Sequence, residues 1–305
     1  MLCIHERTKN ILEADDFFLS ECLACRLIFL QQKNEPNSDK NIYANYYKKE
    51  TGERFGHGTE IVVKAFRFWR AWKVFCLKPK SKKILDIGSG RGWMLYFLKK
   101  YFKYDVAVGT QISENAYKFS KDKLGLEIYN KDLLDLELSS AKFNIITLWH
   151  VLEHVPTPEA YVQRIGELLE NDGLVLIEVP NFNSWSRILS KKRWLALDPQ
   201  HHKTFFTPDS LEAMLKKNNF KIKKINTFSL EYSTFTSAQS LLSLIARTNN
   251  YFFNWLQEEN RIGCKIIFHA LLFAILFPLC LIFNFSLYFS NKGEIINIIA
   301  QKNAK

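Results

Sequence analysis

Apolar positions along this 305-residue chain repeat with two periods, and the switches between them mark out its elements. GTEIVVKAFRFWRAWKVFCLK (58–78) returns to an apolar residue every three or four positions, which predicts an amphipathic helix whose Trp/Phe stripe packs into a core. The polar run KPKSKK (78–83) links it to a short apolar strand at Ile84 and Leu85. Helical spacing resumes at Trp93, Met94, Phe97 and Leu98. DVAVGT (105–110) then reads as a strand and ISENAYKFSKDKL (112–124) as a helix with Ser113 at its N-cap. LEIYNKDLLDL (126–136) opens as a third strand, and Phe143 to Leu148 form a buried fourth. YVQRIGELLENDGLVLIEVPN (161–181) predicts a helix, a turn at Asp172-Gly173 and a fifth strand. FKIKKINTFSL (220–230) alternates as an edge strand does, and GEIINIIAQK (293–302) alternates again.

Composition narrows the class. Hydrophobic residues make up 47% and aromatics 14%, with 25 Phe, which excludes a disordered chain and leaves a globular or membrane-associated one. The net charge of +11 suits nucleic acid, an anionic leaflet or an acidic substrate, but the lysines are scattered and form no stripe. Six cysteines in a chain of this length are no disulfide framework. Cys22-x-x-Cys25 has the spacing of a zinc knuckle, and Cys3 and His5 are the partners available, one residue closer together than a usual first knuckle. Two readings stand: a structural zinc held by Cys3, Cys22 and Cys25, or reduced thiols in a small β-hairpin. Residues 1–20 carry no apolar signal core, so the chain is expected to start in the cytosol.

The chemistry concentrates in KILDIGSGRGWM (83–94). Gly88, Gly90 and Gly92 follow a strand that carries Asp86 near its end, and glycine lets a strand turn sharply into a helix while a ligand approaches bare backbone. A dinucleotide fingerprint needs a small sixth residue, and that position is Trp93. Asp86 with the three glycines instead resembles the D-x-G-x-G-x-G pattern of class I S-adenosylmethionine-dependent methyltransferases. The resemblance implies a Rossmann-like, doubly wound α/β fold: a mostly parallel seven-stranded sheet with a final antiparallel strand, for which 293–302 is the candidate. It also implies a cofactor set of Asp86, Gly88, Gly90, Gly92, Gln111, Asp132, Leu133 and Trp149. In relatives the glycine loop lies against the methionine end, and the residue at position 132 reaches the adenine amino group. Relatives place an acidic residue for the ribose where this chain has Gln111, which lacks the charge.

FNIITLWHVLEHVPTPEAYV (143–162) sets His150, Glu153 and His154 after a strand. H-x-x-E-H is also a zinc-protease motif, but that needs a long helix, and Pro156 and Pro158 stop one. The segment resembles the HVLEH loop of methyltransferases acting on sugars, quinones and other small or lipid-linked acceptors, where the loop faces the methyl group. His150 is the candidate general base, since an unperturbed imidazole titrates near neutral pH, with Glu153 or His154 orienting it or the substrate. In some quinone-modifying relatives an acidic-x-x-Glu-His variant holds a divalent metal; His150 replaces the acidic residue here. Val179-Pro180-Asn181 and 185–215 resemble the family's acceptor wall and lid, with His202 a second candidate base or phosphate contact. Tyr43, Tyr46 and Tyr47 resemble the tyrosine-rich segment that follows a zinc ribbon in relatives.

Ile266 to Phe289 holds 24 residues without a formal charge, enough to span a bilayer. If 293–302 returns to a cytosolic sheet, 24 residues cannot cross a ~30 Å core twice. A broken helix or hairpin dipping into one leaflet is therefore expected, with Pro278 as the kink and Arg261, Lys265 and Lys292 at the headgroups. A simple span and an internally packed helix pair are the alternatives. The expected layout is a degenerate zinc-ribbon-like segment (1–50), a methyltransferase domain (51–235), an apolar membrane-associated insertion (236–292) and the returning strand (293–305). The reading is a methyltransferase attached to the inner face of the membrane, with a small-molecule, sugar or lipid-linked acceptor and no nucleic acid. A non-catalytic cofactor binder of the same fold is the alternative.

Overall fold

The computed structural model describes residues 3, 5–14, 16–33, 60–138, 142–258, 263–288 and 290–303; Tyr43, Tyr46, Tyr47 and Arg261 lie outside them. Near the N-terminus, β1 (Thr8–Glu13), β2 (Phe17–Cys22) and β3 (Ile28–Gln32) form an antiparallel meander, with Cys22 ending β2 and Cys25 in the turn before β3. The main unit starts with α1 (Glu60–Leu77), β4 (Lys83–Ile87), α2 (Trp93–Phe102), β5 (Val106–Thr110), α3 (Glu114–Lys118), β6 (Glu127–Tyr129) and β7 (Phe143–Trp149). It continues with α4 (Pro158–Leu168), β8 (Leu169–Pro180), α5 (Trp185–Ser190), β9 (Thr204–Phe205), α6 (Pro208–Lys217) and β10 (Phe220–Asn226). Three helices, α7 (Ser233–Ile245), α8 (Tyr251–Glu258) and α9 (Cys264–Ser286), precede β11 (Ile295–Lys302).

Seven strands make one sheet in the order β10-β11-β8-β7-β4-β5-β6. β8, β7, β4, β5 and β6 are parallel, and β11 runs antiparallel between β8 and β10. This is the doubly wound, Rossmann-like α/β sheet with its one antiparallel strand, and β10 is the edge strand that its alternation suggested. Alternating strand residues feed two cores on opposite faces. Leu85, Ile146 and Ile177 pack with α4 and α6, whereas Ile84, Ile145 and Leu176 pack with α1 and α2.

Four expectations change. β8 begins at Leu169, so Asp172-Gly173 is a kink inside the strand, with Asp172 at φ 60°, and not the turn before it. The α1 stripe is only partly core: Phe68, Trp69 and Trp72 are each 42% exposed, and the two indoles stack on each other 4.8 Å apart. Ser113 stands at the N-cap of α3, but its hydroxyl makes no capping bond. The apolar run is one continuous helix, α9, through Pro278 rather than a hairpin. Proline removes a single donor near the middle, while Ile266, His269, Cys280 and Asn284 stay buried along one side and hold both halves in line.

Candidate active site

The turn after β4 depends on left-handed backbone. Gly88, Gly90 and Gly92 have φ of 68°, 57° and 74°, where a side chain is strained. A Cβ at Gly88 would lie 2.5 Å from Val151 Cγ2, and one at Gly92 2.5 Å from Leu126 Cδ1. The loop is pinned sideways to β5: Gly88 N donates to Thr110 Oγ1 (3.3 Å) and Ser89 N to Thr110 O (2.9 Å). Arg91, inside the loop, pairs with Glu60 at 2.8 Å and so ties the start of α1 to it.

A cavity of about 730 Å3 opens over this loop at the carboxyl ends of the parallel strands. Its wall includes Asp86, Gly88, Gly90, Gln111, Asp132, Leu133 and Trp149, and also His150, Glu153, His154 and His202. Gly92 is not part of this wall; it begins α2, where only a residue at positive φ fits under Leu126. The cofactor end has the character a cationic sulfonium amino acid requires. Asp86 is buried, its Oδ1 accepts from Thr147 Oγ1 (2.6 Å), and burial pushes its carboxyl up to about 7, so a cation beside it would favour the ionised form. Asp132 Oδ1 accepts from Leu134 N (2.9 Å), and its Oδ2 accepts from the Tyr161 hydroxyl, which fixes the carboxylate's orientation. Gln111 Oε1 accepts from Ser113 N (2.9 Å), two residues on and just before α3.

The other end of the cavity is built from charges. His150 stands at φ 57°, a strained conformation that aims its ring between two buried carboxylates. Nδ1 lies 3.2 Å from Glu153 Oε1 and Nε2 3.4 Å from Glu178 Oε1. Burial works against the charged ring, but the two carboxylates outweigh it and hold the imidazole up at about 10. Glu178 resists burial likewise, held down to about 2 by His150, Arg70 and Lys73. Asn297 Nδ2 donates to its Oε2 at 2.8 Å. Arg70 lies over the Trp149 ring (4.4 Å) and pairs with Glu231 at 2.8 Å; Arg67 pairs with Glu231 at 2.6 Å; and Tyr232 packs on His150 at 4.1 Å between ring centres. Lys203 N donates to Glu153 O (2.8 Å) and His202 Nδ1 to Ala196 O (2.8 Å), so the lid is tied to the loop and His202 presents its other nitrogen. Burial and the neighbouring His202 push His154 down to about 4.

The two carboxylates facing His150 favour its protonated form, which weighs against the general-base role expected from the sequence. Sequence reasoning also missed Arg67, Arg70, Glu178, Glu231 and Tyr232. Two signals were present: arginines at i and i+3 on an otherwise apolar helix face, and a lone Glu in the apolar strand LVLIEVP.

Two side-chain groups among the described residues have metal-ligand proximity. Cys3, His5, Cys22 and Cys25 place ligand atoms within 4.8 Å of one another, as do Glu153, His154 and His202. In the first group Cys3 Sγ and Cys22 Sγ are 3.7 Å apart and Cys25 Sγ is 3.5 Å from His5 Nδ1. A tetrahedral ion with sulfur at about 2.3 Å sets S···S near ~3.8 Å, so these residues fit zinc with His5 as a fourth ligand. Burial works against a Cys22 thiolate, but the Cys25 and Ala24 amides and His5 hold it down to about 6.

Residues 62–225 match a family described as a methyltransferase domain. A ubiquinone biosynthesis O-methyltransferase of Coxiella burnetii (strain Dugway 5J108-111) is 28% identical over 109 residues, which are 34% of this chain and 46% of that one. The chain thus spans about half the length of the curated relatives it matches first. An enzyme of the same name from Pelagibacter ubique (strain HTCC1062) is 23% identical over 178 residues, 55% of this chain and 71% of that one. Among solved structures, a SAM-dependent methyltransferase from Archaeoglobus fulgidus superposes with a TM-score of 0.50 at 20% identity, covering 85% of this chain and 99% of that one. SpnF, a (4+2)-cyclase, superposes with a TM-score of 0.51 at 13% identity, covering 78% and 82%, so the fold alone does not fix the reaction. By the match across more than half of its length and by its sheet, this chain belongs to the methyltransferase-domain family and has the class I S-adenosylmethionine-dependent fold.

Proposed function

We propose that this protein methylates an acceptor hydroxyl, using S-adenosylmethionine, on a small or lipid-linked molecule at a membrane surface. The observation that carries the reading is one cavity wall that joins the glycine loop, Asp86 and Asp132 to Glu153 and His202. The named O-methyltransferase relatives favour oxygen as the acceptor atom. When bound, the cofactor supplies a sulfonium methyl group: a carbon–oxygen bond forms as the carbon–sulfur pair returns to sulfur. The protein's share is alignment, exclusion of water and removal of the hydroxyl proton. Asp86 faces the cationic end, and Asp132 and Leu133 line the wall further along. His202 takes the proton at Nε2, since its Nδ1–H is given to Ala196 O. His150 acts as a fixed cation that holds Glu153 and Glu178 in place, and His154 lies 4.8 Å from the His202 ring and supports it. A structural zinc on Cys3, His5, Cys22 and Cys25 braces the lid, because β3 pairs with β9 just after His202. The outer face of α9, whose length and apolarity would suffice to cross a bilayer, provides the membrane contact.

Isothermal titration with S-adenosylmethionine tests the reading. Wild type binds; Gly88→Val, which adds strain at positive φ to the contact with Val151, weakens binding by about 100-fold or more. Equal binding by both proteins would refute the cofactor site. Binding without transfer of labelled methyl to any envelope lipid extract would favour the non-catalytic alternative.

A further inference from the structure

Part of the cavity wall has a different chemistry from its charged groups. The wall that holds His150 and Tyr232 also includes Val62, Val63 and Phe66 of α1, Phe235 of α7, and Phe253 and Leu256 of α8. These side chains offer no donor or acceptor. A sugar would leave its hydroxyls unpaired there, and a hydrocarbon would not.

That wall continues outward. Phe235 meets Phe253 (5.9 Å between ring centres) and Phe273 of α9 (5.3 Å); Phe273 meets Phe252 (4.9 Å) and Phe277 (5.7 Å). One aromatic layer therefore runs from the cavity to α9. Its outer face carries Leu271, Ile275, Leu279, Ile282 and Phe285, the last two 71% and 70% exposed.

Charge identifies what this face meets. Trp185 to Leu197 holds Arg187, Lys191, Lys192 and Arg193 and no acidic residue; Gly263 to Gly293 holds Lys265 and Lys292 and again none. α5 is fastened to α9 by Trp185, which donates to Asn284 Oδ1 (3.0 Å) and stacks edge-on against Phe283, and its exposed Ile188 and Leu189 extend the apolar face. An apolar helix side with a cationic surround suits the interface of an anionic leaflet. With α9 docked on α7 and α8 and the chain re-entering the sheet at β11, the helix lies along the protein instead of crossing away from it.

Building on the methyltransferase reading above, we propose that the acceptor is an amphiphile drawn from an anionic bilayer. Its hydroxylated head reaches His202, and its hydrocarbon tail lies against the α1, α7 and α8 side chains of that wall, beside the seated face of α9.

Two measurements test this. The first titrates 4-ethyl-, 4-hexyl- and 4-decylphenol into the protein saturated with S-adenosylhomocysteine. Each added methylene tightens binding by about threefold to fourfold until that part of the cavity is filled. Leu256→Gln flattens that dependence while S-adenosylhomocysteine binds within about twofold of wild type, because the residue belongs to α8 and not to the glycine loop. Affinity independent of chain length in a protein that binds S-adenosylhomocysteine overturns the tail site and leaves the methyltransferase reading intact; failure to bind S-adenosylhomocysteine sinks that reading instead. The second sediments the protein with phosphatidylcholine vesicles with and without phosphatidylglycerol. Wild type pellets with the anionic vesicles, and an Ile275→Glu/Ile282→Glu variant stays in solution with its S-adenosylhomocysteine affinity unchanged. Wild type left in the supernatant, or a dimer that buries the α9 face, overturns entry from the bilayer.

Discussion

The two ends of the cavity are made in opposite ways. At the glycine-loop end the chain is shaped by backbone, turned by three glycines at positive φ within five residues of sequence. At the acceptor end the wall is a web of side chains from α1, β7, β8, the lid and the turn before α7, held by ion pairs and not by backbone shape. A backbone-built site tolerates changes around it but not within it. A charge-built site fails wherever one partner is withdrawn, since the other charges stay buried.

The largest expected effect follows directly. Glu178 lies among His150, Arg70 and Lys73 and is 1% exposed. Glu178→Gln keeps the shape and withdraws the anion, leaving cations uncompensated, so unfolding stability should drop by roughly 3–5 kcal/mol. The His150 imidazole should also fall from about 10 toward its ordinary range, which NMR titration would follow. A variant as stable as wild type would mean that the acceptor end is not held together by charge.

A smaller effect separates the ends without touching either. The N-terminal sheet reaches the lid through Ile28↔Phe205 and Phe29↔Thr204, and Thr204 Oγ1 donates to Leu152 O (3.2 Å) beside Glu153. Removing metal with a chelator, or Cys22→Ser, should therefore lower acceptor kcat/KM by about tenfold to a hundredfold through misplacement of His202, while cofactor affinity holds. Zinc content by mass spectrometry accompanies the assay. Equal losses at both ends would mean general unfolding.

The same contrast explains what could be read from the chain. The sheet, the glycine turn and the position of Asp132 are written locally, in strand–Gly–helix alternation, and the residues chosen there gather around one cavity, Gly92 excepted. The acceptor end is not local. Glu178 meets Arg70 across more than a hundred residues, and nothing in periodicity announces that pairing. His150 was expected to be a base from its reference pKa, and the two carboxylates that favour its protonated form come from residues the local pattern does not connect to it. Gln111 stands where relatives carry an acidic ribose ligand, and the local bond its side-chain carbonyl accepts from Ser113 N is not announced by the pattern. The broken helix or hairpin was inferred from the return of 293–302 to the sheet, with Pro278 as the kink, yet α9 runs unbroken through Pro278 before β11 rejoins the sheet.

The smallest effect concerns Asp86, the one titratable group at the cofactor end held near neutrality. Burial raises its carboxyl to about 7 from an unfolded value near 3.8. Because the folded pKa lies above the unfolded one, the contribution of Asp86 to the stability of the cofactor-free protein should be fully present below its unfolded value and should be lost as pH rises toward 7. A cationic cofactor has the opposite preference, since it favours the ionised carboxylate and lowers its pKa in the complex. Affinity for S-adenosylmethionine should therefore rise by up to about tenfold between pH 6 and pH 8, with a proton released on binding near pH 6.5. Titrations in two buffers of different ionisation enthalpy measure that proton, and Asp86→Asn should abolish both the release and the pH dependence. If affinity stays flat across this range in wild type, Asp86 does not face the cationic end, and the backbone loop alone discriminates the cofactor.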